Sequence, residues 1–565
     1  MTAVPASQFI QDASALQRRA ADPNAHVWVM ASAGTGKTTV LVQRYIRLVL
    51  AGTQPSRILC LTYTKAAATQ MKERILRRLS SWVCMDEVKL RGQLTEMMQR
   101  APTYSEIMQA RGLFNVLLDQ LDSLNIMTIH AFCQSLLARF QVEAGLPGGA
   151  EIMDDPSAKL LLSDVLSDIL ATDQNAYIER LAQYTADGSW EDLISKIVQH
   201  RSAFRGLFES NINTEKSINA ILKVDDAVNI DDIRRKALHD GRIPFALLDA
   251  LPPIKDVDVG AIIESLRSTA FEHRGDLFPA YASLFLTKSG TIRKTVKFKD
   301  DHLSAQYFEE AQRVLDVYAQ ERALMTAACS RDLCTLARAA LERYQERKDQ
   351  RGVLDYDDLI ERTLALLSQA DAADWVRFKL DGGIDQVLLD EAQDTSPAQW
   401  QIIAQIVQEY FAGIGRRDPE DRTLFVVGDH KQSIYSFQGA DPARFGAETR
   451  GYIARIAEAG REGVGVRLAK SYRSTAQVLA YVDSLFSVEE NRVGLMPEGG
   501  DLEPHEPTRR EPGCVDLWPL TRESPGEERE AWEAPVDAES EQSANRRLAE
   551  KIAADRKSTR LNSSH

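Results

Sequence analysis

The sequence lacks the features that would assign it to a membrane or secreted class. It has no run of about 18 consecutive apolar residues, and its first 25 residues have neither a basic start nor an apolar core segment. We therefore expect a cytoplasmic protein without a membrane partner. The six cysteines are scattered, with no C-x-x-C pair and no histidine at zinc-finger spacing, so the sequence supports neither a disulfide framework nor a zinc site. We expect them to be small buried apolar residues.

The sequence also lacks an excess of basic residues, since it has 68 Lys and Arg against 82 Asp and Glu. The net charge is −14, which argues against a protein coated with basic surface. Residues 31–80 are an exception, because they carry nine Lys and Arg against one acid, Glu73. A nucleic-acid channel needs only such local positive potential, although a solvated helix face would have the same composition.

The pattern of apolar residues indicates an α/β protein of several folded units. A chain of 565 residues is too long for one hydrophobic core, and roughly three or four units are expected. Short β-branched runs separated by helical patterns occur at 57–62, 386–390 and 424–428. They predict a buried parallel sheet of the doubly wound kind, with the chemistry at the strand ends.

A change of pattern predicts a helical insertion. Between residues 145 and 345 the sequence has long helical periodicity without glycine-rich turns. We interpret residues 1–144 and 346–460 as the two parts of the α/β domain that flank this insertion, and we expect another unit over 461–556.

Two stretches near the end have an unusual composition. Residues 497–541 are rich in Pro, Glu and Gly and are expected to form an acidic loop, in which 514–518 has the composition of a short strand. Residues 557–565 interrupt an amphipathic helical pattern with a polar tail. We expect the tail to be non-native and the polypeptide to be truncated.

The segment ASAGTGKT at 31–38 is the most informative motif. It follows the apolar run 27–30 and precedes a helical pattern, as in a phosphate-binding loop. Gly34 and Gly36 let backbone N–H groups surround phosphate oxygens, Lys37 supplies a charge to the β- and γ-phosphates, and Thr38 can ligate Mg²⁺. The expected nucleotide-binding residues of the loop are Ala31, Ser32, Ala33, Gly34, Thr35, Gly36, Lys37, Thr38 and Thr39.

Two adjacent carboxylates follow the run at 386–389. Asp390 would hold Mg²⁺ directly or through water, and Glu391 would orient and deprotonate the attacking water. On its own this pair is equally compatible with an ordinary acidic turn.

Two later segments offer aromatic and polar groups. After 424–428, Gln432 is placed to sense a γ-phosphate, and Tyr435 and Phe437 to face flat bases, unless they form a core aromatic pair. In SYRS at 471–474, Tyr472 is suited to stacking on a base and Arg473 to clamping a phosphate.

The motifs form an ordered series that resembles a known family. They are ASAGTGKT (31–38), TYTKAAATQMKERI (62–75), TIHAFC (128–133), LDYDDL (354–359), LLDEAQD (388–394), VGDHKQSIYSFQGADP (427–442) and SYRS (471–474). In this order they resemble superfamily 1A DNA helicases of the UvrD/Rep/RecB type. TIHAFC and DEAQDTSPAQW are most similar to the AddA group, the helicase–nuclease subunits of AddAB complexes.

The resemblance implies a fold, an activity and partners. The fold would be a RecA-like P-loop NTPase domain (1A) with a large helical insertion (1B) and an incomplete second RecA-like domain (2A). The activity would be that of an ATP-dependent 3′-to-5′ DNA helicase in double-strand-break repair, with ATP and Mg²⁺ as cofactors. Single-stranded or double-stranded DNA and an AddB-like protein in a heterodimer would be the partners.

It also implies roles for individual residues. Gln17 would contact adenine and Tyr472 would stack on it, while Gln432 and Arg473 would contact the γ-phosphate. Glu391 would be the catalytic base. The positions that match single-stranded-DNA contacts are Thr62, Tyr63, His130, Tyr435 and Phe437, and aromatic stacking there is sequence-tolerant.

Departures from the family pattern keep alternatives open. Gln438 stands where many relatives carry the arginine linked to ATP–DNA coupling, and later helicase motifs and a nuclease domain are missing from these 565 residues. We therefore expect this chain to bind nucleotide poorly and not to unwind DNA. The alternatives are a stand-alone UvrD-like repair helicase and a non-catalytic nucleotide- or DNA-binding fragment.

Overall fold

The structure is a computed structural model. It describes residues 15–171, 175–182, 189–202, 204, 214–225, 228–294, 296, 298, 300–368, 375–376, 379, 383–411, 422–435, 439–493, 495, 504–522 and 543–562.

A six-stranded parallel sheet forms the centre of the α/β part, which confirms the predicted fold class. Its strands are β1 His26–Ala31, β2 Ile58–Thr62, β3 Ile126–Thr128, β6 Gln386–Leu389, β7 Thr423–Gly428 and β8 Gly463–Leu468. Their order is β3-β2-β6-β7-β1-β8, and every neighbouring pair is parallel. All residues of β2, β6 and β7 are buried, as expected for strands covered on both faces.

Helices pack on both faces of this sheet. They are α1 Lys37–Leu50, α2 Lys65–Cys84, α3 Glu87–Met98, α4 Tyr104–Asp119 and α5 Ile129–Arg139, then, after the insertion, α15 Tyr356–Ser368, α16 Pro397–Val407 and α17 Pro442–Glu458. In β1, Val27 and Val29 belong to the apolar core shared with α1–α4, while Trp28 belongs to the core shared with α5 and α15–α17. The alternation of side chains along the strand therefore fixes the two helical layers.

The segment between the two parts of the α/β domain is helical. Its helices are α6 Asp155–Leu170, α7 Asn175–Ala182, α8 Ser189–Gln199, α9 Thr214–Leu222, α10 Ile230–Ala237, α11 Phe245–Asp249, α12 Val259–Ser268, α13 Phe278–Phe285 and α14 Asp301–Arg351. The chain enters and leaves it through two short paired strands, β4 Glu151–Ile152 and β5 Val353–Leu354. Helix α14 has 51 residues and contributes to two separate apolar cores of the insertion. Short 3₁₀ helices occur at Pro55–Arg57, Leu121–Ser123, Phe271–Leu277, Ala392–Asp394, Gln408–Tyr410, His430–Gln432 and Glu489–Arg492.

A buried ionic cluster joins the insertion to the α/β part. Asp355 and Asp358 cap the start of α15 reciprocally, since the N–H of each residue donates to the carboxylate of the other. Lys348, whose side chain is fully buried, donates to both carboxylates at 2.6–3.1 Å. Arg201, just after α8, binds the same two carboxylates at 2.5 and 3.0 Å. Burial opposes the ionisation of Asp355, but the charges of Arg201 and Lys348 outweigh it and hold the pKa of this carboxyl below its usual value.

The residues after 460 correct one predicted boundary. We expected a new unit from residue 461, but β8 pairs with β1 over six residues, so the first sheet extends to residue 468. The next strands, β9 Lys470–Thr475 and β10 Glu506–Arg509, pair with each other and lie beside α18 Ala476–Ser487.

The predicted features near the end of the sequence lie partly within the described residues. Most of the acidic loop at 497–541 lies outside the described residues, and the stretch at 514–518 that we considered as a strand forms none. Helix α19, Ala544–Asn562, continues beyond residue 556, into the stretch that we expected to be a tail.

The cysteines are free, but they are not all buried. Cys60 and Cys133 are buried, whereas Cys84 and Cys514 are exposed, which corrects our expectation for those two. Among the helices of the described residues, none is long and apolar enough to cross a membrane.

Candidate active site

The loop between β1 and α1 has the backbone of an anion site. Gly34 and Gly36 have φ values of 77° and 92°, which glycine adopts without steric cost. Gly36 is the N-terminal cap of α1, and no side chain caps the first N–H groups of that helix. These donors, together with the positive end of the helix dipole, can therefore bind a phosphate.

Residues that follow β6 and β7 contact this loop. Lys37 Nζ lies 2.9 Å from Glu391 Oε2 and 3.1 Å from Gln432 Oε1. The three residues come from α1, the end of β6 and the end of β7, and the first two are 354 positions apart in the sequence. The ends of β6 and β7 thus meet the start of α1 at Lys37.

Glu391 has a strained backbone. Its φ of 48° is in the left-handed region, which a non-glycine residue occupies at a cost of about 1–3 kcal/mol. This conformation starts the 3₁₀ turn at 392–394 and turns the side chain of Glu391 to Lys37.

Asp390 is suited to a hard cation. Its carboxylate is 9% exposed and accepts the N–H of Glu391 at 3.0 Å. Burial, followed by the charge of Glu391, raises its pKa to about 6, while Lys37 opposes this rise. A buried carboxylate of this kind is stabilised by a bound cation.

The oxygen donors near the loop fit Mg²⁺ better than a softer metal. No group of three or more His, Cys, Asp or Glu residues forms a metal site in the part of the chain that the structure describes. Mg²⁺ is usually held by one or two carboxylates together with substrate phosphates. Asp390 is a buried carboxylate of the kind that such a site uses.

Gln393 is a site residue that our sequence analysis missed. Its amide nitrogen donates to Glu391 at 2.8 Å, and its oxygen accepts the N–H of Asp429 at 2.9 Å. A Cβ atom on Gly428 would lie 2.8 Å from that oxygen, so this glycine leaves room for the bond. Gln393 thus fixes the end of β6 against the end of β7. The motif DEAQD contains it, but only the fold shows its partners.

The remaining predicted nucleotide residues surround the loop. Gln17 Nε2 donates to the carbonyl of Thr35 at 3.4 Å, and the N–H of Tyr472 donates to the carbonyl of Gly34 at 2.8 Å. A Cβ atom on Gly34 would lie 2.5 Å from that of Arg473, so the loop and β9 are in tight contact. The side chain of Tyr472 is 46% exposed and accessible for stacking.

Two of the predicted DNA-contacting aromatics form a pair. The rings of Tyr63 and Tyr435 have their centroids 4.3 Å apart, inclined at 36°. Burial, followed by the charge of Asp394, raises the pKa of Tyr63 to about 12, so its phenol is neutral at physiological pH. Phe437, the third predicted aromatic, lies outside the described residues.

The other two predicted DNA contacts differ from this pair. Thr62 is buried and its hydroxyl donates to the carbonyl of Thr64 at 3.1 Å. His130 packs edge-on against Tyr356, with the ring centroids 5.6 Å apart, and burial lowers its pKa. Tyr356 is 38% exposed. It belongs to LDYDDL, to which we assigned no role, and stands beside a predicted DNA contact.

The basic segment 31–80 is only partly a surface feature. Arg44 is fully buried and donates to the Ala25 carbonyl and the Thr423 hydroxyl, both at 2.7 Å, and Arg57 pairs with Asp385. The positive surface is carried by α2, which follows Tyr63 directly and has exposed or half-buried side chains at Lys65, Lys72, Arg74, Arg77 and Arg78.

Comparisons with known proteins identify the family of this chain. The family described as UvrD/REP helicase N-terminal domain matches residues 13–452. The chain is similar to a Lactobacillus acidophilus protein named as the A subunit of an ATP-dependent helicase/nuclease, with 28% identity over 520 residues, covering 83% of this chain and 39% of the relative. The protein of the same name in Enterococcus faecalis is 28% identical over 516 residues, covering 84% and 38%. In Latilactobacillus sakei it is 27% identical over 533 residues, covering 84% and 55%. The chain thus spans between 38% and 55% of the length of these relatives.

Proposed function

Since the chain belongs to the UvrD/REP helicase family, we propose that it is the motor part of an ATP-dependent DNA helicase that moves 3′ to 5′ along single-stranded DNA. The full protein would act in double-strand-break repair as a helicase–nuclease component bound to a second protein. The relatives are named as one subunit of a helicase/nuclease, which favours this over a stand-alone helicase. The observation that carries the proposal is the contact of Lys37 with Glu391 and Gln432, which unites three motifs at the end of one sheet.

The chemistry follows from these contacts. When a triphosphate enters the loop, Lys37 exchanges Glu391 for phosphate oxygens. The released carboxylate then orients the attacking water and takes its proton as the water oxygen bonds to the γ-phosphorus. The bond from this phosphorus to the β,γ-bridging oxygen breaks and ADP leaves, while Gln432 contacts the terminal phosphate. Thr38 and Asp390 would hold Mg²⁺, which would neutralise phosphate charge. Gln393 keeps Glu391 in position throughout.

The aromatic residues supply the DNA surface. Tyr63 and Tyr435 stack on bases, worth about 1–3 kcal/mol per base, and the basic side chains of α2 attract the backbone. Tyr435 lies three residues after Gln432, so the nucleotide and DNA contacts share one short segment. This arrangement suits a motor in which hydrolysis alters the grip on DNA.

The test uses the complete gene product. ATP hydrolysis should rise at least tenfold with single-stranded DNA, and Glu391→Gln should lower the stimulated rate by at least about a hundredfold. Duplexes with a 3′ tail should be unwound and those with a 5′ tail should not. An ATP hydrolysis rate that is unchanged by single-stranded DNA or by Glu391→Gln would refute the helicase function. Unwinding of duplexes with a 5′ tail would refute the proposed polarity.

A further inference from the structure

Lys431 is a second lysine that reaches the phosphate loop. It lies in the 3₁₀ turn at 430–432 that follows β7. Its Nζ donates to Ser32 Oγ at 3.0 Å, and its backbone N–H donates to the Asp429 carboxylate at 3.2 Å. The next residue, Gln432, reaches Lys37. Two consecutive side chains of one turn therefore contact the two ends of the same loop.

Lys431 and Lys37 differ in the charge of the groups that accept from their ammonium groups. Lys37 pairs with the carboxylate of Glu391 at 2.9 Å. Within the described part of the chain, Lys431 has no carboxylate within ion-pair distance, and the one acceptor of its ammonium is the neutral hydroxyl of Ser32. An ammonium has three donors and binds a charged oxygen about twice as strongly as a neutral one. A phosphate oxygen above the loop would be a far better partner than the hydroxyl.

Hydrogen bonds to Asp429 hold the turn at 430–432, so the fold sets the position of Lys431. The Asp429 carboxylate accepts from both the Lys431 N–H and Gln432 Nε2, at 3.2 and 2.6 Å. The Asp429 N–H is in turn held by Gln393 at 2.9 Å. Asp429 itself is 4% exposed. The turn can therefore present Lys431 to the loop without a prior rearrangement of the strand end.

We propose that Lys431 binds the terminal phosphate of a nucleoside triphosphate held by the loop. This proposal rests on the proposed function. On binding, the ammonium of Lys431 exchanges Ser32 Oγ for a phosphate oxygen. Lys431 then provides a second positive charge beside Lys37, delivered from β7 instead of α1. Because Tyr435 is four residues further on, and its ring lies 4.3 Å from that of Tyr63, the contact also links the triphosphate to the DNA surface. The two bound ligands must then influence each other reciprocally.

The experiment measures nucleotide affinity with the complete gene product as the unaltered chain. Fluorescent derivatives of ADP and of the β,γ-imido analogue of ATP, each with Mg²⁺, are titrated against the unaltered chain, Lys431→Met, Lys431→Arg and the control Lys89→Met. Lys89 is an exposed lysine on α3, far from the loop in sequence. Thermal melting checks that each variant is folded.

We expect Lys431→Met to weaken binding of the triphosphate analogue about ten- to a hundredfold and ADP binding less than about threefold. Lys431→Arg should recover most of the affinity, and Lys89→Met should match the unaltered chain. In addition, the analogue should change oligo-dT affinity in the unaltered chain and leave it unchanged in Lys431→Met.

Other results would overturn the assignment. Equal triphosphate affinity in Lys431→Met and the unaltered chain, or equal losses for ADP and triphosphate, would show that Lys431 does not bind the terminal phosphate. No nucleotide binding by the unaltered chain would instead refute the proposed function and the assignment with it.

Discussion

Lys37 Nζ and Glu391 Oε2 are 2.9 Å apart, so the lysine of the phosphate loop and the proposed catalytic base hold each other. We expect a triphosphate to displace Glu391 when it binds Lys37, because the phosphate oxygens and the carboxylate are both anionic partners of one ammonium. The carboxylate therefore competes with the substrate for the same ammonium.

The first prediction follows from this competition. Glu391→Gln should keep or tighten the affinity for a non-hydrolysable triphosphate, because a neutral amide binds Lys37 less strongly than a carboxylate. Lys37→Ala should weaken it at least tenfold. Fluorescence titration measures both, with Glu73→Gln on the exposed side of α2 as the control. A loss of affinity in Glu391→Gln as large as in Lys37→Ala would contradict the competition.

The second prediction concerns Tyr63 and Tyr435. Either residue changed to Ala should weaken oligo-dT binding by about 1–3 kcal/mol. The double variant should lose less than the sum, because the rings touch and each single change disturbs the other. Fluorescence anisotropy at fixed salt gives the affinities.

Tyr104, which is 67% exposed on α4, supplies the control, and Tyr104→Ala should bind like the unaltered chain. Strictly additive losses for Tyr63 and Tyr435 would show that the two tyrosines act as separate contacts. Unchanged binding in all variants would place the DNA surface elsewhere.

The third prediction concerns pH and His26, at the start of β1. Burial, followed by the charges of Arg461 and Arg44, lowers its pKa to about 3. The unfolded chain binds a proton at about pH 6.5 and the folded chain does not, so stability falls as the pH drops below 6.5. Between pH 7 and 5 this group alone should remove about 2 kcal/mol of the free energy of unfolding.

Urea denaturation at several pH values measures this loss. His26→Gln should have a flatter stability profile between pH 7 and 5, since it has no proton to gain, whereas exposed His302→Gln should keep the slope of the unaltered chain. If the free energy of unfolding has the same pH dependence in His26→Gln and in the unaltered chain, groups other than His26 cause the loss of stability at low pH.

The fourth prediction compares two neighbouring residues of α14. Lys348 is fully buried between Asp355 and Asp358, so Lys348→Met should cost about 3–5 kcal/mol by leaving buried carboxylates short of a partner. Arg347 pairs with Asp168 on the surface, with side chains 40% and 49% exposed, and Arg347→Met should cost less than about 1 kcal/mol. Chemical denaturation measures both. Equal costs would mean that the buried cluster is no more stabilising than a surface pair.

Much of the fold could be predicted from the sequence because the sheet is parallel and buried. Uninterrupted apolar runs mark β2, β6 and β7, and polar motifs begin where each of these runs ends. Carboxyl ends of parallel strands share one edge, so the strand assignments place Lys37 and Glu391 at the same edge of the sheet. Their contact also requires the strand order β6-β7-β1, which the local sequence does not show. The predicted α/β class is confirmed on this basis.

Other features depend on pairings that local sequence does not determine. β8 has the alternating burial of an edge strand, and nothing in its six residues shows that it completes the first sheet instead of starting a second one. Arg201 meets Asp355 across 154 positions, and Lys431 meets Ser32 across 399. Such contacts are set by tertiary packing. The sequence therefore shows which residues are present but not which residues they contact. The individual roles assigned to the site residues stay predictions.

The number of residues in α14, which is 51, determines how its two ends are rotated relative to each other. A helix of this length is about 75 Å long, and each residue turns it by about 100°. Tyr307 and Val314 are buried in one core near its start, while Leu336 and Tyr344 are buried in another near its end. A single residue inserted between these groups would rotate one core surface away from its partners, whereas about seven inserted residues would nearly restore the phase. Insertions of about seven residues should therefore disturb the two cores less than insertions of one residue.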